Sequence, residues 1–105
     1  MNEFQNKFHA GQVIQHKIFG YRGVIVGVDQ TFQLTPDWYE SVAKSRPPKD
    51  KPWYHVLVHG HRQTTYVAER NLDVDSSGQK IEHVLLDRFF DKFSDGFYSN
   101  SGEEN

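Results

Sequence analysis

Three histidines, His55, His59 and His61, lie within seven residues and form the densest set of metal-capable side chains in the chain. Imidazole is a common metal ligand, but a catalytic zinc site needs a third ligand in fixed geometry, itself oriented by outer hydrogen bonds. The sequence contains no cysteine, His59 and His61 flank Gly60 in a turn, and His55 sits four residues upstream on a strand. Turn histidines plus one on a strand face is the simpler reading, so no metal and no cofactor is expected. Nucleophilic catalysis lacks its context too, since no G-x-S-x-G segment occurs. Gly20, Gly23 and Gly27 have no Lys-Ser/Thr beside them, as a phosphate loop would require. Asp73 with Asp75, and Asp87 with Asp91, read as solvated faces. A non-enzymatic protein is expected.

Binding chemistry has more to stand on. Lys17, Tyr21 and Arg22 border one bend, and Arg46, Lys49 and Lys51 precede Trp53 and Tyr54. Arg62 and Arg70 flank a second strand. Basic residues interleaved with aromatics can hold phosphates and stack on bases. The same types also rim protein interfaces. The plain alternative is that Trp53 and Tyr21 are core and the charges ordinary surface. Lys17, Tyr21, Arg22, Arg62 and Arg70 are the candidate DNA or partner contacts, with Trp38 and Tyr39 as an alternative partner patch.

The elements that must position these residues centre on Pro52 to Leu72. Trp53 to Val58 alternates, Gly60 marks a turn, and Gln63 to Ala68 alternates again, which predicts a β-hairpin. Tyr54, Val56 and Val58 share one face, and Trp53, His55 and Leu57 the other. Both faces are partly apolar, so this strand is expected to be internal. Ala68 to Leu72 reads as a single turn into another strand. Upstream, Gln12 to Lys17 and Gly23 to Asp29 predict two strands joined by a short bend. Gly20 and Gly23 are expected at positive φ or close backbone approach, and Gly27 at a bulge. A strand so bent suits closure of a small barrel.

Thr35 can cap a helix with Pro36 at its first position, which predicts a short helix over 36–44 carrying Trp38 and Val42 on one side. The following SRPPKDK segment reads as an exposed loop. Ile81, Leu85, Phe89 and Phe93 recur every four residues, with Leu86 and Phe90 beside them and Gly96 at a stop position. That spacing predicts an amphipathic C-terminal helix packed across an open end of the barrel.

At 105 residues the chain is expected to hold one core. The expected division is a flexible segment 1–10, a β-barrel domain 11–98 and a disordered acidic tail 99–105. A start without an apolar signal core, and no apolar run of about 20 residues, point to a cytoplasmic protein without membrane contact. Net charge is −2, distributed unevenly: residues 1–72 hold nine Lys or Arg against six Asp or Glu, and residues 73–105 hold three against eight. A mildly basic body with an acidic end suits a one-sided polyanion contact or a protein partner.

Four blocks, GQVIQHKIFGYRGVIVGVD, PWYHVLV, TYVAERNL and the DG-F-Y ending near Asp95 to Tyr98, resemble the YccV-like hemimethylated-DNA-binding domain family, in its standalone bacterial heat-shock (HspQ) type. The resemblance spans about residues 9–98 in matching order and spacing. It implies a mainly β, SH3-like small barrel of about five strands, carrying the short inserted helix and C-terminal helix read above. It also implies binding without catalysis: either double-stranded DNA with preference for hemimethylated duplex, or action as a specificity factor for a cytosolic AAA+ protease in the stress response. Exposed sheet edges and aromatics leave a homo-oligomer open as well. No catalytic motif transfers from the family.

Overall fold

The alternating segment at the middle of the chain forms β3 (Trp53–Val58), whose successive side chains feed three separate apolar clusters. The computed structural model describes residues 6–101. Tyr54 and Val56 enter the first cluster with Phe8, Ile14, Ile25, Val67 and Leu72. Leu57 enters the second with Val13, Val24, Ile81 and Tyr98. Trp53 enters the third with Tyr39, Ala43 and Ala68. A strand covered on both faces needs apolar residues at odd and even positions alike, which is why β3 carries so few polar ones.

β3 lies between β2 (Arg22–Asp29) and β4 (Thr64–Ala68), and β2 in turn pairs with β1 (Val13–His16). A 3₁₀ turn at Glu69–Asn71 leads to β5 (Leu72–Val74), which pairs with β1. The sheet is antiparallel throughout, in the order β4-β3-β2-β1-β5. The expected hairpin, internal strand and single turn into β5 are all present. The expected closed barrel is not: strand pairing ends at β4 and at β5, so the ladder is open.

Glycine placement explains the curvature. A side chain at Gly23 would put Cβ 2.6 Å from the Leu57 carbonyl oxygen, so only glycine lets β2 and β3 approach there. The β2–β3 register slips between Ile25 and Gly27, leaving Val26 as the extra residue of a bulge, as the glycine in this β-branched run predicted.

The inserted helix α1 (Pro36–Val42) starts where Thr35 Oγ1 accepts from the Trp38 N–H at 3.1 Å, and it is two residues shorter than expected. Its buried side is Tyr39 with Ala43, one turn apart, packed on Trp53 and Ala68. Val42 therefore faces outward, 53% exposed.

The C-terminal helix is corrected by the structure. Only α2 (Leu86–Phe89) is helical, a single turn. Lys92–Ser94 and Phe97–Ser99 form a separate hairpin, β6 and β7. Asp95 and Gly96 have φ of 53° and 83°, the paired positive values of a two-residue hairpin turn. The apolar spacing marked burial in part: Ile81, Leu85, Leu86, Phe90 and Phe93 pack on the second cluster, whereas Phe89, a member of the predicted stripe, is 38% exposed. Of the N-terminal segment expected to be flexible, residues 1–5 lie outside the described residues, and Phe8 is seated in the first cluster. Of the expected tail, residues 102–105 also lie outside them.

Candidate nucleic-acid interface

A groove of about 1120 Å³ collects residues from the turn after β1 (Ile18, Phe19, Tyr21), from α1 and the loop after it (Trp38, Val42, Lys44, Ser45), and from β4 (Thr64–Ala68). Its side chains are apolar, aromatic, hydroxylic, amide or potentially cationic. None of the residues lining it is Asp or Glu, although the chain holds 14 acidic residues. Lys44 lies in the wall, and Lys17, Arg46, Arg62 and Arg70 are each next in sequence to a lining residue.

These cations differ in what already holds them. Lys44 and Arg62 have no side-chain partner among the described residues, which leaves their charge available. Lys17 stands 3.8 Å from Asp73 with both side chains about half exposed, a weak pair in water. Arg70 donates to the Ser45 carbonyl at 2.6 Å, tying the 3₁₀ turn to the loop after α1. Arg46 pairs with Glu40 at 3.1 Å.

Arg22, named from the sequence beside these, is placed elsewhere. Its guanidinium donates to Asp75 Oδ2 at 3.0 and 3.1 Å and to the Gln79 carbonyl at 2.5 Å, with the side chain only 21% exposed. Those donors pin the segment after β5 to the sheet. Tyr21 lines the groove, and its hydroxyl shares a 2.7 Å hydrogen bond with Thr65 Oγ1. Burial pushes that phenol above its ordinary pKa, so it remains a hydroxyl.

The alternative patch also divides. Tyr39 is 8% exposed, its hydroxyl donating to the Pro47 carbonyl, which makes it core and removes it from the surface. Trp38 remains half-buried at the groove, 5.7 Å from Tyr66 and 5.9 Å from Phe32 between ring centroids. Trp53 completes this aromatic set, stacked on Tyr66 at 5.2 Å with its indole N–H on the Pro48 carbonyl. Behind the rings, Asp29 Oδ2 accepts from the Tyr66 hydroxyl at 2.7 Å and lies 3.2 Å from His55 Nε2. Burial first, and then the Asp29 bond, raise the Tyr66 pKa.

His16, His59 and His83 serve local structure. His59 Nδ1 accepts from the Glu82 N–H, and no group of three or more metal-ligating side chains occurs among the described residues. His16 Nδ1 accepts from both the Ile18 and the Phe19 N–H at 3.1 Å. Sequence reading passed over Lys44, Ile18 and Phe19. An adjacent apolar pair at a strand-joining bend was the available signal for the last two.

The open, antiparallel sheet carries an aromatic groove with no acidic lining residue and Lys44 in its wall, and this groove is the candidate interface. The chain belongs to the YccV-like family: the family model described as hemimethylated DNA-binding protein YccV like matches residues 6–96, most of its length. That is a family of DNA-binding domains.

Proposed function

We propose that this chain is a non-enzymatic module for double-stranded DNA, of the HspQ type and acting in the cytoplasm, with preference for hemimethylated duplex. The observation that carries the reading is the groove lined without a single carboxylate in a net-acidic chain of this family. Lys17, Lys44, Arg62 and Arg70 stand as its phosphate contacts, with Tyr21 and Trp38 between them. The 3₁₀ turn between β4 and β5, and the β5–β1 pairing, support the finer description of the sheet as SH3-like.

Binding built on phosphate contacts must weaken linearly on a log–log scale as salt rises, by about 0.9 per contacted phosphate. Fluorescence anisotropy with unmethylated, hemimethylated and fully methylated duplexes, over a salt series, tests it. A preference for the hemimethylated duplex that persists near physiological salt is expected. Equal, weak binding to all three that vanishes with salt would sink the reading.

A second reading has one observation in its favour. β4 is an edge strand beside the outward-facing Val42 and Leu34, a geometry that suits strand addition by an extended peptide. An adaptor for a cytosolic AAA+ protease would use that edge. Protease pull-down with a folded Leu34→Ser/Val42→Ser variant, neither residue being a named DNA contact, separates the two: loss of capture with DNA affinity kept supports the adaptor, and unchanged capture removes that edge.

A further inference from the structure

Among the large hydrophobic side chains of the described residues, Phe19 is the most exposed, at 75%, and its neighbour Ile18 is 56% exposed. Two such residues side by side at a turn tip would ordinarily signal a loose loop. This turn is held instead. The two N–H groups of the tip donate to one acceptor, His16 Nδ1, and the His16 ring lies 4.8 Å from Phe19 and 5.1 Å from Tyr21 between centroids. The Gly20 N–H returns to the His16 carbonyl at 2.9 Å, with Gly20 at φ 77° closing the turn. Lys17 N–H donates to Asn71 O at 2.8 Å, fastening the base of the turn to the 3₁₀ segment. An apolar tip held by four such hydrogen bonds is presented to solvent at fixed geometry, with Lys17 beside it and the acid-free groove at its foot.

We infer that Ile18 and Phe19 form an apolar wedge that enters a base step of duplex DNA while the rim cations hold the flanking phosphates. Apolar side chains inserted between base pairs partly unstack them, and a positive rim offsets the backbone charge brought close by the bend. The surrounding charge favours this occupant: no lining residue is acidic, Asp29 is engaged by Tyr66 and His55, and Asp73 is engaged by Lys17 through a long, exposed pair that a phosphate can replace. The inference rests on the DNA reading above and deepens it by assigning base contact to a pair of uncharged residues.

Wedge and rim have different signatures. Removing a phosphate contact lowers both affinity and salt slope, whereas removing a wedge lowers affinity and leaves the slope unchanged. The experiment uses the full chain, wild type against Ile18→Ser/Phe19→Ser and Phe19→Leu, on a hemimethylated duplex carrying 2-aminopurine beside the methylated base. Both tip side chains are exposed, so thermal melting should be unaltered and confirms the fold. Wild-type protein and Phe19→Leu should brighten the 2-aminopurine on saturation. The double serine variant should bind about 10- to 100-fold more weakly, with an unchanged salt slope and no brightening. Wild-type affinity and brightening in the serine variant would overturn the wedge while leaving the DNA reading intact. Failure of wild-type protein to bind any duplex at low salt would instead defeat the DNA reading itself. A serine variant that alters sedimentation of the free protein but not DNA affinity would mark the tip as a self-association surface and overturn the inference.

Discussion

Arg22 and Asp75 lie 53 residues apart and meet at 3.0 Å, with the Asp75 side chain 6% exposed. Burial by itself would raise the Asp75 pKa, but the hydrogen bonds from Arg22 and Ser77 outweigh it and hold the carboxyl below the usual range. The folded pKa is depressed, so the stabilisation is present above the unfolded value of about 3.9 and is lost as pH falls through the folded one. Arg22→Gln should destabilise the protein by about 2–3 kcal/mol at neutral pH, because a largely buried carboxylate is left without its charged partner. Urea denaturation at pH 7 and pH 3 measures it. A variant within experimental error of wild type at pH 7 would mean that the pair contributes nothing.

His16 predicts the opposite use of an imidazole from a cationic DNA contact. Burial lowers its pKa, and its Nδ1 accepts two N–H groups, so the neutral ring is the form that fits. With the folded pKa below about 6.5, the stabilisation is complete above that pH and declines as pH falls towards the folded value. Amide exchange at Ile18 and Phe19 should therefore rise, relative to its intrinsic rate, on acidification from pH 7. His16→Phe should cost about 1–2 kcal/mol and remove that sensitivity. Acid-independent protection in wild type would disprove the arrangement.

Lys44 and Arg62 carry the free charge of the rim. Replacing both by Gln should lower DNA affinity and reduce the salt slope by about 2, one for each phosphate no longer neutralised. Both are surface positions, so stability should change by less than about 0.5 kcal/mol. An unaltered slope would exclude them from the interface.

Gly23 tests the closeness of β2 and β3. A methyl group there would meet the Leu57 carbonyl oxygen and Val56 Cγ1, each at 2.6 Å, in the middle of the sheet. Neither neighbour is the free end of a flexible chain. Gly23→Ala should lower stability by about 1–3 kcal/mol, seen as a fall in the urea midpoint with an unchanged m-value. Wild-type stability would show that the strands can separate without cost.

What the sequence by itself determined was the local architecture. The β3–β4 hairpin followed from alternation around Gly60, the start of α1 from Thr35-Pro36, and the β2 bulge from Gly27, because each depends on residues within a few positions of one another. Family membership was legible for the same reason, since it rests on four short blocks in order. Ile81 to Phe93 was ambiguous at that range: a spacing of four satisfies a helix, yet these apolar residues, Phe89 excepted, cover the second cluster from a turn and a hairpin. Asp95-Gly96 between Phe93 and Phe97 carried the hairpin signal, but its outcome depended on docking against Gly11 to Val13, where the Tyr98 N–H meets the Gly11 carbonyl. The tertiary structure alone decided which charges are available. Arg22 and Arg62 are the same residue type in the sequence; Asp75 and the Gln79 carbonyl converge on the first, and no group among the described residues pairs with the side chain of the second. It likewise seated Tyr39 in the core while leaving Phe19 in solvent. Charge pairing and burial are set by residues brought together from distant parts of the chain, and no local pattern encodes that meeting.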